Sequence, residues 1–148
     1  MTLEEQKTEI AVQRFCAAWQ GLNAVYEDYA RRKEIPYTNL YILDIISKTE
    51  GCTQKLICER TLLPRQTVNT IVTTFYKSGW IELRETPEDR RVKTIHLTPS
   101  GLVYAGTVIP QIHAAEKEAM KALSEEQQSA LLEALRVYCD TFRQEMEK

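Results

Sequence analysis

Asp89, Arg90, Arg91 and Lys93 stand together within WIELRETPEDRRVKTIHLTPSG, residues 80–101, between two short strand-like runs. Closely spaced guanidinium and ammonium groups attract a polyanion, and arginine adds a planar donor fork that matches phosphate. The same cluster also fits a solvated hairpin tip, so the flanking segments must decide. The remaining reactive residues offer less. Cys16, Cys52, Cys58 and Cys139 form no C-x-x-C pair, and His96 and His113 are the only histidines. Cys52 and Cys58 could meet across a short helix, but so few histidines make a zinc site a poor expectation. The four thiols are expected to be buried and inert. Catalysis needs an acid or base set against a nucleophile or metal. His96 reads as facing away from Ile95 and Leu97 on a strand, and His113 as a polar surface residue of a long helix. Neither has a carboxylate or cysteine at motif spacing, so no catalytic residue, cofactor or metal is assigned.

The 148 residues suit one domain or two small lobes sharing a core. With 43% hydrophobic and 27% charged residues, the chain should fold. No apolar run reaches the roughly 20 residues of a membrane-spanning helix. The start, MTLEEQKTEIAVQRF, lacks the basic and apolar regions of a secretory signal, so a cytoplasmic protein with no membrane partner is expected. A net charge of -2 alone argues weakly against nucleic acid. Its distribution matters more: residues 51–101 hold eight Lys/Arg against five Asp/Glu, so the positive charge is central and both ends are acidic.

The elements that must position this charge follow from periodicity and punctuation. Residues 3–33 read as one long helix, with Ile10, Phe15, Trp19, Leu22, Val25, Tyr26 and Tyr29 at helical spacing. Arg31, Arg32 and Lys33 at its end suit the helix C-terminus electrostatically, or a DNA contact. A nearly all-apolar helix follows over about 36–48, packed on several sides. Thr53 can cap a short helix ending near residue 60 or 61, and Pro64 suits the start of another that stops at Gly79. That helix turns Val68, Ile71, Val72 and Phe75 inward, and carries Arg65, Gln66, Asn69, Thr70 and Thr73 on its opposite face. WIELRE and VKTIHLT then alternate as strands, with Ile81, Leu83, Val92, Ile95 and Leu97 as the apolar positions. Thr98-Pro99 opens a helix to about Leu123 that Pro110 should kink or offset. Ser124 to Gln127 form a capping box for a last helix to about residue 144. The fold class is mainly α with a small β-hairpin wing.

Helix, short helix, turn, polar-faced helix, strand, charged loop, strand is the order of a winged helix-turn-helix. A major groove admits one helix, and Arg, Asn, Gln and Thr read its base edges. A hairpin tip beside it can reach the minor groove, where negative potential attracts arginine. An aspartate two residues away can orient that arginine or tie the loop backbone. Asp89-x-Arg91 has this composition, and Lys77, Arg84 and Lys93 could add phosphate attraction. The combination points to duplex DNA. A winged-helix module for protein–protein assembly is the rival reading.

The sequence resembles the MarR family of transcription regulators. The resemblance is carried by D-x-R followed by K-x-I-x-L-T-x-x-G, here Asp89 to Arg91 and Lys93 to Gly101, and by TQKLICERTLLPRQTVNTIVTTFYKSGWI upstream. It implies a single MarR-like domain over 1–148, with a DNA-binding lobe at 36–100 and dimerisation helices at 3–33 and 101–146. It further implies a homodimer on palindromic duplex DNA, acting as a ligand-responsive repressor. DNA contacts are expected from Arg65, Gln66, Thr67, Asn69, Thr70, Thr73, Lys77, Arg90, Arg91 and Lys93, with Asp89 shaping the wing. Pro64 stands where many relatives have a small polar cap, which removes a side-chain phosphate contact there.

Residue-level arguments support the dimer: Phe15, Trp19, Leu131, Leu132, Leu135, Tyr138 and Phe142 give the terminal helices more apolar stripe than one lobe covers. The alternative is packing of those helices within the chain. The resemblance also implies a small aromatic or phenolic effector in a cleft beside the lobe. Trp19, Tyr26, Tyr37 and Tyr41 are candidate lining residues and equally candidate core. One branch of the family senses hydroperoxides through a first-helix cysteine; here that position falls on Val12, and Cys16 lies one turn later. Cys16 has no cation one turn away on its own face, so an inert core thiol is expected rather than a peroxide sensor.

Overall fold

A computed structural model describes residues 1–148 as six helices and one hairpin: α1 (Leu3–Arg32), α2 (Tyr37–Lys48), α3 (Gln54–Thr61), α4 (Arg65–Lys77), β1 (Ile81–Glu85), β2 (Lys93–Leu97), α5 (Pro99–Lys121) and α6 (Glu125–Met146). The chain divides into two compact units, Met1–Ile109 and Pro110–Lys148.

The core of the first unit is the apolar helix α2 with the inward face of α4. Leu40, Ile42, Leu43, Ile45 and Ile46 are buried from α2, and Val68, Ile71, Val72 and Phe75 from α4. Ala30, Ile35, Cys52, Ile57, Ile81, Ile95, Ala105, Val108 and Ile109 complete it. Thr53 caps α3 by accepting from the amide of Leu56 at 3.2 Å. Pro64 is extended and precedes α4 as its N-cap without a side-chain hydrogen bond. Between them Leu62 closes α3 in the left-handed region at φ 56°, its amide bonding the carbonyl of Cys58 at 2.9 Å. Gly79 follows α4 at φ 76°, a conformation that favours glycine, and the Trp80 amide returns to the Phe75 carbonyl at 3.0 Å.

The antiparallel hairpin pairs Ile81 with Leu97 and Leu83 with Ile95. On its other edge, the Ile95 amide donates to the carbonyl of buried Cys52 at 2.7 Å, tying the segment before α3 to β2. Only Ile81 and Ile95 are buried from the strands. Leu83 and Val92 are exposed, and Val92 precedes β2, because the hairpin projects past the core. Trp80 anchors the hairpin's base, stacked on Tyr104 with ring centroids 3.8 Å apart. Thr98 caps the start of α5 through the amide of Gly101 at 3.1 Å, and its own amide bonds the Trp80 carbonyl at 2.9 Å. Tyr29 of α1 donates to the Val108 carbonyl of α5 at 2.6 Å. Burial pushes the Tyr29 phenol up, partly offset by Arg32, and burial likewise raises Tyr104.

In the second unit α5 continues through Pro110. Ser124 and Gln127 form the capping box of α6, with Ser124 accepting from the Gln127 amide at 3.1 Å. Neither terminal helix is sunk in a core: α1 buries only Ala30, and α6 buries no residue. This corrects the expected burial of the thiols. Cys16 and Cys139 are exposed because a single chain leaves α1 and α6 uncovered, Cys58 is half-buried, and only Cys52 is buried. His113 is half-buried, not a fully exposed surface residue. No group of three His, Cys, Asp or Glu side chains is placed to hold a metal ion.

Candidate nucleic-acid interface

A groove of about 1160 Å³ opens between α3, α4 and the hairpin. Arg65, Gln66, Asn69 and Thr70 line it from α4, and Leu83, Arg91 and Lys93 from the wing. Gln54, Lys55 and Cys58 line it from α3. Helical periodicity explains the α4 set, since these residues lie opposite the buried stripe of Val68, Ile71, Val72 and Phe75. Four cations, Lys55, Arg65, Arg91 and Lys93, thus border one concavity.

The wing tip is held by its own hydrogen bonds. Thr86 donates through its hydroxyl to the Asp89 carbonyl at 2.7 Å and accepts from the Asp89 amide at 3.2 Å. The Val92 amide bonds the Asp89 carbonyl at 3.1 Å, closing the turn. One carboxylate oxygen of Asp89 accepts from the backbone amide of Arg91 at 2.9 Å and from its Nε at 3.3 Å. The Arg91 side chain remains 92% exposed. Its remaining guanidinium donors are therefore available at the tip while its root is fixed. Below the tip, Arg84 is paired with Glu82 of the same strand, which turns part of its charge back on the hairpin.

Not all expected contact residues share the groove. Thr67 and Thr73 are half-buried on α4, Lys77 is exposed at its last turn, and Arg90 is exposed at the wing tip, all outside the groove lining. Thr70 lies within it, but its hydroxyl donates to the Gln66 carbonyl at 2.9 Å. What Thr70 presents outward is a methyl group and acceptor capacity. Gln54, Lys55 and Cys58 escaped the sequence reading, because nothing in QKLICER marks which turn of α3 borders the wing.

The aromatic set divides. Tyr26, Tyr37 and Tyr41 form a run between α1 and α2, with centroids 5.4 Å apart for the first pair and 6.4 Å for the second. Trp19 instead stacks with Phe15 on α1 at 6.3 Å and is exposed.

Residues 34–92 match the MarR family. The matched span takes in α2, both helices of the helix-turn-helix, β1 and the wing tip, so it covers most of the lobe that carries the groove and ends just before β2. No curated protein matches the chain in sequence. Solved structures extend the likeness over nearly the whole length. A MarR family regulator from Neisseria meningitidis superposes with a TM-score of 0.78 at 20% identity, covering 93% of this chain and 96% of that one. Streptococcus pneumoniae FabT in complex with DNA gives 0.76 at 19% identity, over 93% and 98%. Staphylococcus aureus MarR in complex with salicylate and kanamycin gives 0.74 at 18% identity, over 95% of each chain. At these identities the superpositions establish the fold, which is that of MarR-family winged helix-turn-helix regulators.

Proposed function

We propose that this MarR-type protein is a transcription regulator that binds palindromic duplex DNA as a homodimer and represses. The observation that carries the reading is the groove, where four cations from α3, α4 and the wing border the polar face of α4. In this reading α4 enters the major groove, and Arg65, Gln66, Asn69 and Thr70 meet base edges or phosphates. The wing lies over the adjacent minor groove, where Arg91, oriented by Asp89, inserts, and Arg90, Lys93 and Lys77 add attraction to phosphates. FabT, similar in fold, has been solved in complex with DNA, which supports DNA as the partner. The homodimer is supported by the apolar side chains left in solvent, among them Trp19 on α1 and Leu131, Leu132 and Phe142 on α6.

The effector reading is a small aromatic or phenolic molecule near Tyr26, Tyr37 and Tyr41, with Trp19 as a further candidate. A run of adjacent rings offers an aromatic surface to such a ligand. The salicylate complex of the similarly folded Staphylococcus aureus MarR supports that ligand class.

The test begins with enrichment of binding sequences from a randomised duplex library by the full-length protein. The enriched duplex and a scrambled version are then titrated at several salt concentrations. Tighter binding to a palindromic site is expected. Equal affinity for both would reduce the groove to a generic basic patch. Failure to bind any duplex, with a stable heteromeric pull-down, would favour a protein-assembly module.

A further inference from the structure

We propose that Gln54 of α3 is a positioning residue that sets the base preference of Asn69. This rests on the DNA-reading role proposed above and names the chemistry of one contact within it. Gln54 Nε2 donates to Asn69 Oδ1 at 3.4 Å, joining the two helices of the helix-turn-helix through their side chains. Both residues line the groove, Asn69 exposed and Gln54 half-buried. The backbone of Gln54 is well placed to hold a direction: it is the first residue of α3, immediately after Thr53, whose side chain caps the helix.

An asparagine amide carries one acceptor oxygen and two N–H donors. Reading adenine through both atoms sets the oxygen on the N6 amino group and the nitrogen on N7. In this protein the oxygen is turned toward Gln54, so the edge left for DNA is the Nδ2 donor pair. That edge suits guanine, whose major-groove face offers two acceptors, O6 and N7, better than adenine, which offers one acceptor and one donor. The neighbouring Thr70 does not supply a competing donor, because its hydroxyl proton is engaged by the Gln66 carbonyl. The Asn69 contact is therefore a guanine contact, and Gln54 makes it so.

The experiment enriches binding sequences with full-length wild type, Asn69→Ala, Gln54→Ala and Gln54→Glu, then measures each base position by competition binding. The position flattened in Asn69→Ala identifies the contact. Wild type should prefer guanine there. Gln54→Glu keeps the size of the side chain but can only accept, so it should draw Asn69 Nδ2 inward and turn the oxygen outward. Preference should then move to a base presenting an amino group, adenine or cytosine, by on the order of tenfold relative to guanine. Gln54→Ala should relax the guanine preference, with other positions unchanged in both variants. An unchanged profile in Gln54→Glu, a uniform loss at every position, or a wild-type preference for adenine at the contact overturns the inference while leaving DNA reading intact. A wild-type protein that enriches no motif overturns the proposed function, and this inference with it.

Discussion

Asp89 holds Arg91 at two points with one carboxylate oxygen, the backbone amide at 2.9 Å and the side-chain Nε at 3.3 Å. The amide bond fixes the loop and the Nε bond aims the guanidinium, so the two residues should fail differently. Arg91→Ala should weaken binding to the enriched duplex on the order of 10- to 100-fold and lower the salt slope by about one. Asp89→Ala should also weaken binding but leave the salt slope near that of wild type, since the cation remains. Fluorescence anisotropy at several salt concentrations separates them. A lower slope in Asp89→Ala would mean that Arg91 is lost from the interface and not merely misdirected.

Gly101 is required by proximity. A Cβ built there would stand 1.9 Å from the Trp80 carbonyl oxygen, which is backbone and cannot swing aside. Gly101→Ala should cost about 3 kcal/mol by forcing α5 away from the hairpin base. Denaturant melts should register the loss, and Trp80 fluorescence should change as the stack on Tyr104 loosens.

Alkaline pH should destabilise the fold. Cys52, Tyr29 and Tyr104 are each raised, chiefly by burial. A group whose folded pKa lies above its unfolded one holds its proton more tightly in the native state. Its contribution is present below the unfolded pKa and is lost as pH rises through the folded one. The melting temperature should therefore fall above about pH 8.5 to 10, the ordinary range of these groups. Cys52→Ala should flatten that decline. Tyr29→Phe should flatten it as well, while costing about 1 kcal/mol at neutral pH through the lost bond to Val108.

The uncovered apolar face of α6 should be covered by self-association. Leu132 is 61% exposed and Phe142 is 55% exposed. Sedimentation should give twice the 17.1 kDa chain mass. The double variant Leu132→Asp, Phe142→Asp should shift the protein toward monomer and weaken binding to a palindromic duplex more than to a half-site.

Treatment with stoichiometric cumene hydroperoxide should leave binding intact. Cys16 is accessible, but the residues one turn away on α1, Val12, Gln13, Trp19 and Gln20, include no cation to hold a thiolate. Mass spectrometry on Cys16 alongside operator binding decides it. Rapid oxidation with DNA release, both absent in Cys16→Ser, would make this chain a peroxide sensor.

Where a residue's role depends on its own helix or turn, it was legible in the sequence. The buried stripe of α4, the capping box at Ser124 and the stop at Gly79 are local patterns, and the structure has them where periodicity and turn chemistry placed them. The capping box between Thr2 and Glu5 carries the same T-x-x-E signal but escaped the reading. What depends on the approach of distant elements was not legible. Leu83 and Val92 read as apolar strand positions, yet both are exposed, because how far a hairpin overhangs its core is set by where its base is anchored, here at Trp80. Gln54 and Lys55 reach the groove because the Cys52 carbonyl pairs with β2, and a backbone contact leaves no mark on residue types.

That same bond from Ile95 to Cys52 has a mechanical consequence. It splices the entry of the helix-turn-helix to the wing, so the hairpin cannot tilt without dragging α3 along. The lobe then behaves like a caliper jaw machined from one piece: its bite on a groove is of fixed width. A molecule that loosens its grip on DNA would have to carry the jaw bodily to a new place, and exchange-protected amides at Ile95 and Leu62 should stay protected while it does so.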